Sequence, residues 1–315
     1  MSEFIEALNS PAGEFLRCAV LAGLLVSIAC GVVGTYVVAR RITYVAGGIA
    51  HCVLGGIGAA VYCNKVLGCE WISPMAGAVF AALLSAGIIG VVSLKCRERE
   101  DTVISALWAT GMAAGVFFIW KTPGYQQGLM NYMFGNILMV SPDTLMLIGA
   151  LDLAVIVVSV VFYRQFMAVC FDEEFARTRG VRVDAYYLLL LAMTALTVVL
   201  LVNVVGVIMV IALLTLPVAT GGQFTKKLWQ MMVAGTLISM LLTLGGIAIS
   251  YGPDYPSGAT IIILAGLLYL FAVIVRTIVG RVVAWKSQSV ISDECGCGCD
   301  KRGPAAEQPN NKTPA

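Results

Sequence analysis

The chain has 315 residues, 59% of them hydrophobic and only 12% charged, with a formal net charge of +2. A mean hydropathy of +0.91 leaves too little polar surface for a water-soluble globule, which excludes soluble enzymes and cytoplasmic scaffolds. The small positive balance carries no nucleic-acid signal, because the basic residues sit in short connections between apolar runs and form no patch.

Residues 1–15 read as a polar, acidic N-terminal segment and not as a cleavable signal peptide. A span needs about 20 apolar residues. Runs of that kind cover Leu16–Ala39, Tyr44–Cys63, Pro74–Lys95, Thr102–Trp120 and Asp143–Tyr163. Further runs follow at Ala185–Val202, Val204–Thr220, Gln230–Tyr251 and Ser257–Ile278, with a junction near Asn203. The expected fold is an all-α polytopic membrane protein with eight to nine transmembrane helices, its membrane domain filling 16–280 and a tail filling 281–315.

Lys and Arg alternate between successive connections as the positive-inside rule requires. One side holds Arg40, Arg41, Lys95, Arg97, Arg99, Arg164, Arg177, Arg179, Arg182, Lys226, Lys227, Arg276, Arg281 and Lys286. The other holds only Arg17, Lys65 and Lys121. Nine spans with an outer N-terminus and a cytoplasmic C-terminus satisfy this pattern; if Val204–Thr220 folds back or an early span is re-entrant, eight remain and the N-terminus changes side.

The only histidine, His51, shares a helix face with Gly47, Gly48, Gly55 and Gly58. Either a neighbouring helix packs very closely there, or the imidazole looks into a space. As a structural residue, His51 would hydrogen-bond a carbonyl of the next helix; as a functional one, it would touch a passing ion. Cys52 points about 100° away and reads as packing. Asp152 lies inside a span, where an ionisable group is costly and marks either a function or a neutral carboxyl held in the bundle. Asp254, in an outer loop, either draws cations toward a vestibule or caps the turn before Pro256.

The connection Arg164–Asp184 carries its own short helix, about 171–181: Asp172 as N-cap, Glu173 and Glu174 in the first turn, Arg177 and Arg179 in the last, Gly180 at C′. Phe171, Phe175 and Ala176 form its apolar patch. The helix either closes the loop or docks a cytoplasmic partner.

Cys63 and Cys69 are near enough in an outer loop to close a disulfide if that side is oxidising. In the tail, Cys295, Cys297 and Cys299 alternate with glycine, so three thiolates can reach one soft or borderline ion; a disordered tail is the plain reading of the same segment. No phosphate-binding loop or nucleophile motif is present, so the chain is not expected to hydrolyse ATP or act as an enzyme itself.

Several segments together suggest a family. They are Arg40-Arg41-x5-Gly47-x3-His51, Asp101-Thr102, Leu129-Met-Asn-Tyr-Met-Phe134-Gly135-Asn136-Ile137-Leu138, Asp172-Glu-Glu-Phe-Ala-Arg-x-x-Gly180-Val181, Gly206-Val-Ile-Met-Val-Ile-Ala212-Leu-Leu-x-x-Pro217-x-Ala219-Thr220, and Pro256-Ser257-Gly258-Ala-Thr260. In this order the chain resembles the ABC-3 type permeases of bacterial zinc, manganese and iron importers. The resemblance implies an ABC importer permease fold in the cytoplasmic (inner) membrane. It also implies a homodimer with alternating access at its interface, a cytoplasmic ABC ATPase dimer, and a periplasmic or surface-anchored metal-binding protein. The cargo would be a divalent metal, with no permanently bound cofactor, and the helix Asp172–Gly180 would be the coupling helix that enters the ATPase.

Many relatives carry an aspartate four residues before the histidine, where this chain has Gly47. An imidazole without that carboxylate favours zinc or ferrous iron over manganese. Two other expectations stay open: a permease of the same machine class for a chelate such as a siderophore or cobalamin, and a secondary carrier working through Asp152.

Overall fold

The computed structural model describes residues 14–294 apart from 70, 96–99, 124–132, 134, 136, 138–139 and 252–254. Asp254, Cys295, Cys297 and Cys299 lie outside the described residues, as do Arg97 and Arg99. The helices, in chain order, are α1 (Glu14–Ala39), α2 (Thr43–Lys65), α3 (Pro74–Lys95), α4 (Glu100–Lys121), α5 (Pro142–Val161), α6 (Tyr163–Phe171), α7 (Glu173–Thr178), α8 (Val183–Val205), α9 (Val207–Phe224), α10 (Leu228–Tyr251) and α11 (Ser257–Glu294). Among the described residues, nine helices, all but α6 and α7, are long and apolar enough to cross a membrane. The described residues up to 272 form one compact unit, and those from 273 onward, at the end of α11, belong to a second.

Local chemistry sets several helix ends. Ser141 caps α5, its hydroxyl accepting from the Thr144 amide at 3.3 Å, and Pro142 fills the first turn, where no amide is needed. In α4, Glu100 and Asp101 stand in the first turn and Lys121 in the last, matching the helix dipole. At the end of α1 the Arg41 amide donates to Val38 O at 3.1 Å and the Ile42 amide to Val37 O at 2.9 Å. That is a Schellman closure, with Arg41 at a φ of 62° in the place glycine usually takes.

Inside an apolar medium a polar group without a partner is costly. Ser27 donates to Gly23 O at 2.6 Å, Thr35 to Gly31 O at 2.7 Å and Thr194 to Leu190 O at 2.8 Å, each returning its hydroxyl to its own helix. Ser27 also reaches Thr243 of α10 at 3.2 Å. Small residues bring the helices together around it: a Cβ at Gly31 would collide with Thr236 of α10, and one at Gly34 with the Leu214 carbonyl of α9.

Helices α1, α2, α8 and α9 are the enclosed ones. The most apolar stretch of α2 is 83% buried, whereas that of α4, against which α2 packs most extensively, is 17% buried. Thus α4 lies on the flank of the bundle and covers only one face of α2.

The break between α8 and α9 falls at Gly206 and not near Asn203. The helix continues because the Gly206 amide still donates to Val202 O, at 3.1 Å, and it stops where Gly206 adopts a φ of 82° that side chains rarely allow. Gly135, itself at a φ of 66°, rests on this joint: a Cβ there would overlap the backbone of Val205. Cys63 and Cys69 are both free thiols, joined only through the Cys69 amide and the Cys63 carbonyl at 3.1 Å.

Candidate functional site

The glycine face of α2 is a packing seam. A Cβ at Gly48 would lie 2.8 Å from Ile104 Cγ2, one at Gly55 2.7 Å from Gly111 O, and one at Gly58 2.8 Å from Gly115 O. Helix α4 answers with its own small pair, Gly111 and Gly115, so the two backbones approach directly. Cys52 belongs to the same contact: buried, it donates to Leu107 O at 3.2 Å, in keeping with a packing role.

His51 sits at the edge of this seam, half-buried. Its ring stacks on Trp108 with centroids 4.5 Å apart and planes 19° from parallel. Trp108 in turn leans on Tyr44 at 5.5 Å. Gly47 makes room for the indole, since a Cβ there would stand 3.1 Å from Trp108 Cζ3. Nδ1 of His51 is buried and has no hydrogen-bond partner, so the carbonyl-paired structural role does not describe that nitrogen. Among the described residues no three His, Cys, Asp or Glu side chains converge as a metal cluster. Among the described residues the site thus offers one imidazole and no closed cage.

Asp152 is placed elsewhere. It belongs to the inward stripe Ile148, Asp152, Val155 and Ser159 of α5, whose main neighbour is α1. Only 3% of the residue is exposed, and neither carboxylate oxygen has a partner. Its helix packs on α1, while His51 stacks on Trp108 of α4. The structure therefore does not bring His51 and Asp152 into one described cluster.

The loop helix forms as its caps dictate. Asp172 leaves the helical conformation at φ −149° and ψ 93°, and its carboxylate accepts from the Phe175 amide at 2.8 Å. Gly180, at a φ of 77°, closes the other end, with the Val181 amide donating to Ala176 O at 3.1 Å. Phe171 and Phe175 are 67% and 54% exposed, and Glu174 is exposed beside them. Ala176 is not part of that patch. It is 1% exposed and faces the bundle, because an amphipathic single turn must bury one side to stay in place.

Arg40 is a residue whose position the composition-and-topology reading missed. In the sequence it stands out as half of a paired cation that marks a side of the membrane and opens the segment leading to His51. In the structure its Nη2 donates to Glu173 Oε2 at 2.9 Å, its Nη1 donates to the Val169 carbonyl, and its guanidinium lies 4.4 Å from the Tyr187 ring centroid. Glu173 also takes Arg177 at 3.0 Å, and Arg177 reaches Asp184 at 2.6 Å. Burial alone would raise the Glu173 carboxyl, but the hydrogen bonds from Arg40 and Arg177 hold it below the ordinary carboxylate range. Nearby, burial pushes the Cys170 thiol up to about 11 against the opposing pull of Arg40. Trp108 was missed as well, since no spacing rule pairs residues on two different spans.

The profile of the ABC 3 transport family matches residues 12–276. The chain belongs to the ABC 3 transport family. A Chlamydia pneumoniae protein named "Probable metal transport system membrane protein" is 40% identical over 256 residues, covering 81% of this chain and 87% of its own. The manganese transport system membrane protein MntC of Halalkalibacterium halodurans is 31% identical over 259 residues, covering 82% and 86%. Among solved structures, PsaBC from Streptococcus pneumoniae in complex with Fab matches with a TM-score of 0.75 at 26% identity, covering 86% of this chain and 94% of the other. As an ABC 3 family member the chain is a transporter subunit with a multi-pass helical body, in agreement with the expected permease fold.

Proposed function

We propose that this chain is the membrane permease of an ATP-driven importer for a divalent metal ion, zinc or ferrous iron before manganese. The observation that carries the ion path is the single imidazole at the edge of the α2–α4 seam, with its buried Nδ1 unpartnered. Weak, sparse ligation suits a conduit, because the ion must leave again. Relatives with metal transport in their names support the cargo class. The absence of a carboxylate at Gly47, where Trp108 stands instead, supports a borderline ion over a hard one. Manganese remains the second reading, favoured by the name of the Halalkalibacterium relative.

In this reading two copies of the permease pair and alternate access at their interface. A metal-binding protein delivers the ion from outside, and a cytoplasmic ATPase dimer docks on the surface carrying Phe171 and Phe175. The Lys and Arg distribution supports a cytoplasmic C-terminus, and the family and its bacterial relatives support an inner-membrane location. Asp254 as a vestibule charge and the Cys295, Cys297 and Cys299 tail as a cytoplasmic metal binder remain proposals from sequence. The deciding experiment reconstitutes permease, ATPase and binding protein in vesicles and follows radioactive zinc, ferrous iron and manganese. ATP-dependent entry of zinc or iron ahead of manganese is expected; manganese ahead of both would select the second reading, and no ATP-dependent metal entry would overturn the assignment.

A further inference from the structure

We propose that Arg40 is the positioning residue that ties the coupling element to the membrane bundle, so that movement imposed on α7 is passed to α1 and α8. This rests on the reading of α7 as the ATPase-docking helix and adds the route by which docking reaches the spans.

The geometry carries the proposal. Arg40 follows the last turn of α1, and the Schellman closure at Arg41 turns the main chain away just beyond it. The side chain makes three kinds of contact with three elements: the terminal carbonyl region of α6 at Val169, the carboxylate of Glu173 at the start of α7, and the face of Tyr187 in α8. It is 15% exposed, so little water competes for its donors. Arginine suits this task better than lysine, because a planar fork can serve a carbonyl, a carboxylate and an aromatic face at the same time. Glu173 extends the link through Arg177 to Asp184 in the first turn of α8, so α7 is fastened to Arg40 at its start and to α8 near its end. The aromatic pair Tyr36 and Phe166, with centroids 5.1 Å apart, braces α1 against α6 behind the arginine. A push on the exposed face of α7 therefore meets a charged strut set against packed aromatics.

The test uses the full permease with its ATPase and binding protein in vesicles, comparing wild type with Arg40→Lys, Arg40→Gln, Glu173→Gln and the double Arg40→Gln/Glu173→Gln. ATPase co-purification, ATP hydrolysis and metal uptake are measured on the same preparations. We expect Arg40→Gln to retain the ATPase while metal moved per ATP falls about tenfold, within the range that substitutions along a coupling route produce. Arg40→Lys should recover part of that loss. The double variant should lose less than the sum of the two single losses, since both changes remove the shared Arg40–Glu173 pair while Glu173→Gln also removes the contact with Arg177. Unchanged metal per ATP in Arg40→Gln would overturn the strut, and so would additive losses in the double variant. Loss of ATPase co-purification in Arg40→Gln would also overturn it, showing a residue that only shapes the docking surface. Failure of the docking reading shows separately: a Phe175→Asp permease that still binds the ATPase would remove that reading whatever Arg40 does.

Discussion

Trp108 lies flat against the His51 imidazole, occupying the space that Gly47 leaves on the same face of α2. The two features are one arrangement: the indole can stack there because the residue one turn away has no side chain. A carboxylate at position 47 and an indole at position 108 compete for the same volume.

Gly47→Asp alone should therefore not convert the permease to manganese. Overpacking against Trp108 should cost about 1–3 kcal/mol, seen as a lower thermal midpoint of the purified permease. Gly47→Asp combined with Trp108→Ala should tolerate the carboxylate and raise manganese uptake relative to zinc. If Gly47→Asp alone is fully stable and shifts selectivity, the steric argument is wrong.

His51→Ala should abolish most metal uptake and leave permease and ATPase assembly intact, because the imidazole makes no described hydrogen bond that the fold would lose. Uptake near wild-type rate, measured with the same radioactive ions, would leave His51 a stacking partner for Trp108 and nothing more.

Phe175 and Ala176 should respond in different ways. Phe175→Asp alters an exposed surface, so the protein should insert and remain folded while ATPase recovery is lost. Ala176→Asp puts an unpaired charge into a buried place, which costs several kcal/mol, and should reduce the amount of folded permease extracted from the membrane. Equal behaviour of the two variants in extraction and in ATPase binding would contradict the assigned faces.

The anchoring of α7 should depend on pH with a definite sign. The folded Glu173 carboxyl is held below its ordinary value, so its contribution is fully present above the unfolded pKa of about 4.3 and is lost as pH falls through the lowered folded value. Hydrogen exchange at Phe175 to Thr178 should stay slow, after correction for intrinsic rates, down to that range and then accelerate. In Glu173→Gln the acceleration should be absent.

Asp152→Asn should leave uptake unchanged. Neither carboxylate oxygen has a described partner, so an amide of the same shape replaces the group without breaking a contact. A secondary carrier working through Asp152 would instead lose transport, and an unchanged rate removes that alternative.

Span positions were legible because burial in an apolar medium demands long apolar runs, whatever the neighbours are. The cap residues of α7 were legible for a similar reason: Asp172 and Gly180 act through the backbone within a few residues. The joint at Gly206 was misplaced by three residues, because Asn203 breaks a hydropathy run without breaking a helix, whereas only backbone dihedrals reveal the true stop. The inward turn of Ala176 was hidden because a six-residue helix offers too few positions to define a face. Trp108 and Arg40 depend on contacts between distant segments, for which neither period nor spacing carries information.

The glycine seam also limits which surfaces can move. With Gly55 against Gly111 and Gly58 against Gly115, the two backbones interlock at a distance no side chain could occupy, and sliding by one turn would drive bulkier residues into those notches. Helices α2 and α4 must then travel as a single blade that carries His51 and Trp108 together. If the permease alternates access as proposed, gating falls at looser boundaries, and the ring pair keeps its form while the walls around it change.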